Sequence, residues 1–184
     1  MSLRDPFLAL HIAAGTTGLI LGPIAMRAPK RRGPHTKLGE TYHWVMLAVC
    51  VSAAALAVLA WHRIWWFLPI ATFSYANALV GYLAVKRRRP GWIRAHIGGM
   101  GGSYIALVTA LLVVNVGQQL PIVWFLPTVV GSPIIAWVIS EVDRGRRPRA
   151  WAGAVAASSA RARGARPAPS GESSPSELRV RAAR

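Results

Sequence analysis

Five long apolar runs divide the chain, at about 7–26, 39–61, 64–85, 94–116 and 121–139. Each is close to the roughly 20 residues that a helix needs to cross a bilayer. The pattern predicts an all-α fold, a polytopic helical bundle of about five transmembrane helices. The run at 94–116 is the expected centre. At helical spacing one of its faces carries His96, Gly99, Ser103, Ala106 and Ala110. Small residues in line let neighbouring backbones approach closely, which is how helices associate in lipid. The first run repeats the arrangement with His11, Gly15, Gly18 and Gly22, and the third places Ser74, Asn77 and Gly81 on one face.

The breaks between runs are of two kinds. Residues 27–38 and 86–94 are basic, and Pro29, Gly33 and Pro34 predict a non-helical loop across the first of them. His62 with Arg63, and residues 117–120, form short turns with little charge. Pro69 lies early in the third run. Pro121, Pro127 and Pro133 predict a bent fifth helix, because proline removes a backbone donor and crowds the preceding turn. From Glu141 the apolar pattern stops. Residues 144–184, rich in Arg, Ala, Ser and Pro, predict a basic disordered tail after a bundle spanning 1–143.

Charge decides the threading. The two longer loops carry five Lys and Arg each, the tail carries ten, and the other side holds only Arg4 and Arg63. Short loops rich in these residues stay cytoplasmic. The expectation is a multi-pass protein of the cell membrane, N-terminus outside and C-terminus cytoplasmic. The tail then faces anionic lipid headgroups. The first run is long and precedes its basic cluster, unlike a cleaved leader. A net charge of +16 on a soluble chain would suggest nucleic acid. Here the charge is a topology signal, so no nucleic acid is expected. Cys50 stands alone inside an apolar run and reads as a packing residue.

The candidate chemistry is histidine. With the ends so placed, His43 and His96 each enter the bundle from the cytoplasmic side at matching depth. His11 lies near the outer surface, with His62 at the outer end of the second run. His43 and His96 are expected as axial ligands of one haem b iron, with His11 a weaker candidate. Imidazoles on facing helices are a common way to hold haem in a bundle. Such a protein transfers electrons across the membrane, to a redox partner or a quinone. The same imidazoles could hold a metal ion or relay protons with Glu40, three residues before His43. Glu40 alternatively pairs with Lys37 or Arg94. A reading of another class is a small transporter or membrane scaffold without cofactor, its site lined by Ser74, Asn77 and the bent fifth helix. No P-loop, nucleophile elbow, HExxH or CxxC occurs. Neither an enzymatic activity nor an oligomeric state is indicated.

Three segments carry a resemblance. They are LGP after the glycine face that follows His11, GPHTKLGETYHW over 33–44, and HIGGMGGSYIALVTALLVVN over 96–115. Together they resemble a family of small bacterial predicted membrane proteins, domain of unknown function 2306. The resemblance covers about 7–142 and implies a polytopic membrane fold without assigning an activity. The histidine pattern is similar in kind to that of diheme membrane cytochromes.

Overall fold

The computed structural model describes residues 2–30, 33–117 and 119–145. The tail expected over 144–184 lies almost wholly outside the described residues. Six helices account for nearly all of them: α1 Arg4–Arg27, α2 Pro34–Leu59, α3 Trp61–Ile64, α4 Phe67–Arg87, α5 Trp92–Val116 and α6 Pro121–Asp143. Five of the six are long and apolar enough to cross a membrane, and α3 is a single turn. The fold is all-helical among the described residues, as the apolar runs predict.

Several boundaries differ from the sequence expectation. The second helix begins at Pro34, so the non-helical stretch ends at Gly33. Proline suits the first helical position, where no amide hydrogen is needed and φ is already set. Gly33 makes the entry with φ 127°, a value side chains avoid. His35 is therefore helical. The turn expected at His62 and Arg63 is the one-turn α3. In α6, Pro127 and Pro133 lie inside one continuous helix.

Helices α1, α2, α4 and α5 pack in a ring in which each touches the next, and α6 rests on the outside of α5. Small residues set the closest crossings. A Cβ placed at Gly99 would lie 2.5 Å from the Gly81 nitrogen and 2.6 Å from the Asn77 carbonyl, so α4 and α5 meet backbone to backbone there. Gly22 of α1 receives the Tyr104 ring of α5, and the Tyr104 hydroxyl donates to the Leu19 carbonyl at 3.2 Å. Tyr42, Met46, Val49, Cys50, Ala78 and Leu107 fill the centre. There Tyr42 Oη and Ser103 Oγ lie 3.2 Å apart, a buried polar link from α2 to α5.

The apolar surface faces outward. Phe73, Phe125, Val129 and Trp137 each expose more than three-fifths of their area. Such a surface is stable against acyl chains and not against water. One end of the bundle collects the basic residues Arg27, Lys30, Lys86–Arg89 and Arg94. The opposite end holds Trp61, Trp65 and Trp66.

Candidate functional site

The histidines sort into three environments. At the basic end, His35 on the first turn of α2 meets His96 on the first turns of α5. Their ring centroids are 6.1 Å apart and the planes are nearly perpendicular, at 86°. Each ring is anchored in the same way. His96 Nδ1 lies 2.9 Å from the Gly81 carbonyl of α4, and His35 Nδ1 lies 2.9 Å from the Ala25 carbonyl of α1. A carbonyl can only accept, so each of these hydrogen bonds needs the proton on Nδ1, and in the neutral ring that leaves Nε2 its lone pair. Histidines that hold metals are usually oriented through their other nitrogen in this manner.

Lys30 belongs to this cluster. Its Nζ donates to the Ala25 carbonyl at 3.0 Å and to the Met26 carbonyl, closing the end of α1. It also lies 3.4 Å from His35 Nδ1. Burial holds its ammonium below the ordinary lysine range. The pair thus stands beside a lysine amine tied to the end of α1. Among the described residues no third His, Cys, Asp or Glu completes a metal-binding group.

His43 is elsewhere, between α2 and α4. Its ring stacks on Tyr82 with centroids 4.1 Å apart and planes within 8°, and Tyr75 and Trp44 complete its ring contacts. It is 3% exposed, and its buried Nδ1 has no hydrogen-bond partner among the described residues. The stacked Tyr82 donates its hydroxyl to Glu40 Oε1 at 3.2 Å, and Lys86 Nζ donates to the same oxygen at 3.3 Å. Glu40 therefore pairs with Lys86 of α4, and neither Lys37 nor Arg94 takes that place. Arg94 instead binds Asp143 at 2.9 Å, joining α5 to the end of α6.

His11 lies between α1 and α2. Its Nδ1 is 3.2 Å from the Val49 carbonyl and 3.1 Å from Ser52 Oγ. His62, on α3, is exposed at the opposite end of the bundle from the basic loops. The structure thus brings His96 together with His35. It gives His43 and His11 separate surroundings. His35 escapes a reading that places it in a loop; Gly33 followed by Pro34 is the local signal that moves it into a helix.

The small residues expected to line a site divide as well. Gly18, Gly22, Gly99 and Ser103 are buried at crossings, while a Cβ at Gly15 would meet nothing within 4 Å. Asn77 lies on a second feature, a groove of about 660 Å³ walled by α4 and α6 and floored by α5. Its Nδ2 donates to the Phe73 carbonyl at 2.9 Å. Its Oδ1 stands over Gly102, 3.0 Å from where a Cβ would be. Ser74, Thr109, Thr128 and Ser132 also line the groove.

The sequence model of a family described as predicted membrane protein, domain of unknown function 2306, matches residues 8–142. No curated protein and no solved structure matches the chain. The matched residues take in nearly all of the five spans, including both histidines of the basic-end pair. The chain belongs to the domain of unknown function 2306 family of predicted membrane proteins.

Proposed function

We propose that the protein is a small multi-pass electron carrier that binds one haem b, with His96 and His35 as the axial ligands. One observation carries this reading: two anchored imidazoles with ring centroids 6.1 Å apart. A metal–nitrogen bond is near 2 Å and a ring centroid lies about 1 Å behind its nitrogen. Two imidazoles on opposite sides of an iron therefore have centroids roughly 6 Å apart. Haem suits the pair better than a bare ion. A porphyrin supplies four nitrogens, so two imidazoles complete the set. A structural zinc ion would need two further protein ligands of kinds that the cluster lacks among the described residues. Lys30 and the neighbouring basic loops offer cations to the propionates. The rings meet edge to face, so loading asks one of them to turn.

His96 keeps the role expected from the sequence, and His35 replaces His43. The Tyr82 ring covers one face of His43, which argues for a packing role there. Lysine and arginine placement supports a cytoplasmic location for the basic end, and so for the haem. Bound there, the haem would exchange electrons with a donor or acceptor at the membrane surface; the chain's own residues anchor the imidazoles and hold the helix ends together.

The visible spectrum of protein purified from haem-sufficient cells tests the reading. A Soret band with reducible α and β bands is expected, abolished in His35→Ala and in His96→Ala and kept in His43→Phe. A colourless preparation sinks the proposal. A band lost in His43→Phe and kept in His35→Ala assigns the iron to His43 and His96 instead.

A further inference from the structure

The groove between α4 and α6 has chemistry of its own and shares no residue with the histidine pair. Its walls are mostly apolar: Ile70, Phe73, Ile105, Ile135 and Ile139 contribute. Among the described residues none that lines it is charged. Its volume, about 660 Å³, falls in the usual range for small-molecule sites. At one end Trp66 and Trp124 approach, with ring centroids 5.3 Å apart, so α4 and α6 are bridged there.

Depth makes the groove informative. Asn77 is about ten residues into α4, Gly102 about ten into α5 and Ser132 about eleven into α6. At a rise of about 1.5 Å per residue all three sit roughly 15 Å from a span end. That is the middle of a hydrocarbon core about 30 Å thick. A phospholipid can lay an acyl chain in the groove, but its ester and phosphate groups remain at the interface. It would leave the Asn77 amide oxygen, and the lone pairs of the hydroxyls that line the groove, without a donor, which is unfavourable. An occupant that satisfies them needs uncharged hydrogen-bonding atoms carried into the bilayer centre on an apolar frame.

The geometry points to a binding site for a prenyl quinone in the α4–α5–α6 groove, the ring carbonyls accepting from the Ser132 hydroxyl and the second Asn77 Nδ2 hydrogen, the hydroxyls of the quinol form donating to Asn77 Oδ1, and the isoprenoid tail leaving along the open side. Gly102 has no side chain to displace the Asn77 amide, which therefore lies at the groove floor within reach of a ligand. The lipid-facing mouth lets the ligand enter from the membrane.

An azido-ubiquinone photoprobe tests this on the full-length protein in nanodiscs of dioleoylphosphatidylcholine, where phospholipid is in large excess. Labelling is expected on peptides of α4, α5 or α6 that line the groove, and decylubiquinone should compete it away. Asn77→Leu and Ser132→Leu should each reduce labelling about fivefold or more, and Thr41→Ala, on the exposed side of α2, should not. Ser132 is exposed on the groove wall, so its replacement spares the packed crossings even if Asn77→Leu proves unstable. Label that decylubiquinone does not displace, or that maps to α1 and α2, overturns the proposal. So does efficient crosslinking of Ser132→Cys between two chains with quinone labelling unchanged, because the groove is then filled by a second copy. Absence of haem leaves all these readouts intact, so the two proposals fail separately.

Discussion

His43 shows how much one side chain can differ from its neighbours of the same type. His11, His35 and His96 each rest a ring nitrogen against a backbone carbonyl, and among the described residues His43 has no such partner for a buried nitrogen. Burying an unpaired polar atom costs about 1–3 kcal/mol. Phenylalanine keeps the stack on Tyr82 and removes the unpaired nitrogen. His43→Phe should therefore raise stability by about 1 kcal/mol, read as a higher midpoint in thermal unfolding in detergent. A lower midpoint would mean that the ring nitrogens are engaged, by ligand or water, in the folded protein. The sequence places His43 and His96 at one depth, and depth follows from counting residues. Direction does not. His43 stacks on Tyr82 of α4, whereas His96 rests its Nδ1 on Gly81 of α4 and its ring against His35 of α2, because the pairing of helices decides what each face meets.

At the scale of elements, the small-residue faces are legible in the spacing of glycine and serine. Gly99 and Ser103 lie buried on α5, and Gly18 and Gly22 on α1. The α1 face is rotated slightly from the expected line, however: Ala14 is buried with them and Gly15 opens to empty space. Glycine marks where contact is permitted, and alanine often makes it. Helix α6 depends on α5 through two notches. A Cβ at Gly101 would meet Ile135, and one at Gly131 would meet Ile105, so each helix receives an isoleucine from the other. Most of the rest of α6 is exposed, including Ile122, Phe125, Val129 and Trp137. Gly131→Leu should fill one notch and release α6 before the four-helix ring. Disulfide crosslinking between cysteines introduced on α5 and α6 should fall, and crosslinking between α1 and α2 should persist. Equal loss at both would show one cooperative unit. The Arg94–Asp143 pair also joins these helices, but both partners are exposed, and such pairs contribute little.

For the whole molecule, charge predicts the threading. Lys86–Arg89, Lys30 and Arg27 gather at one end, and Arg63 lies at the other. With that basic end cytoplasmic, Ser2→Cys should react with a membrane-impermeant maleimide on intact cells. Gly145→Cys should react only after permeabilisation. The native Cys50 is buried and keeps the background low. The reverse pattern would invert the assignment and move the histidine pair to the outer face. The groove belongs to this scale as well. Ser74 and Asn77 are readable as a polar stripe on α4, and the prolines of α6 as a disturbance. Their alignment across Gly102 needs three helices brought side by side.

The number of spans, their approximate limits and their alternating direction can be read from the residues alone, because bilayer thickness sets the length of an apolar helix and local charge sets its ends. Those effects act on each segment separately. Which imidazoles share a space is a matter of tertiary packing. Pro34 starts α2 early enough to lift His35 into the bundle, and the close crossing of α4 and α5 presents the Gly81 carbonyl to His96. Side-chain direction depends on helix rotation and neighbour order, and in lipid these are set by packing between helices and not by hydrophobicity along any one of them.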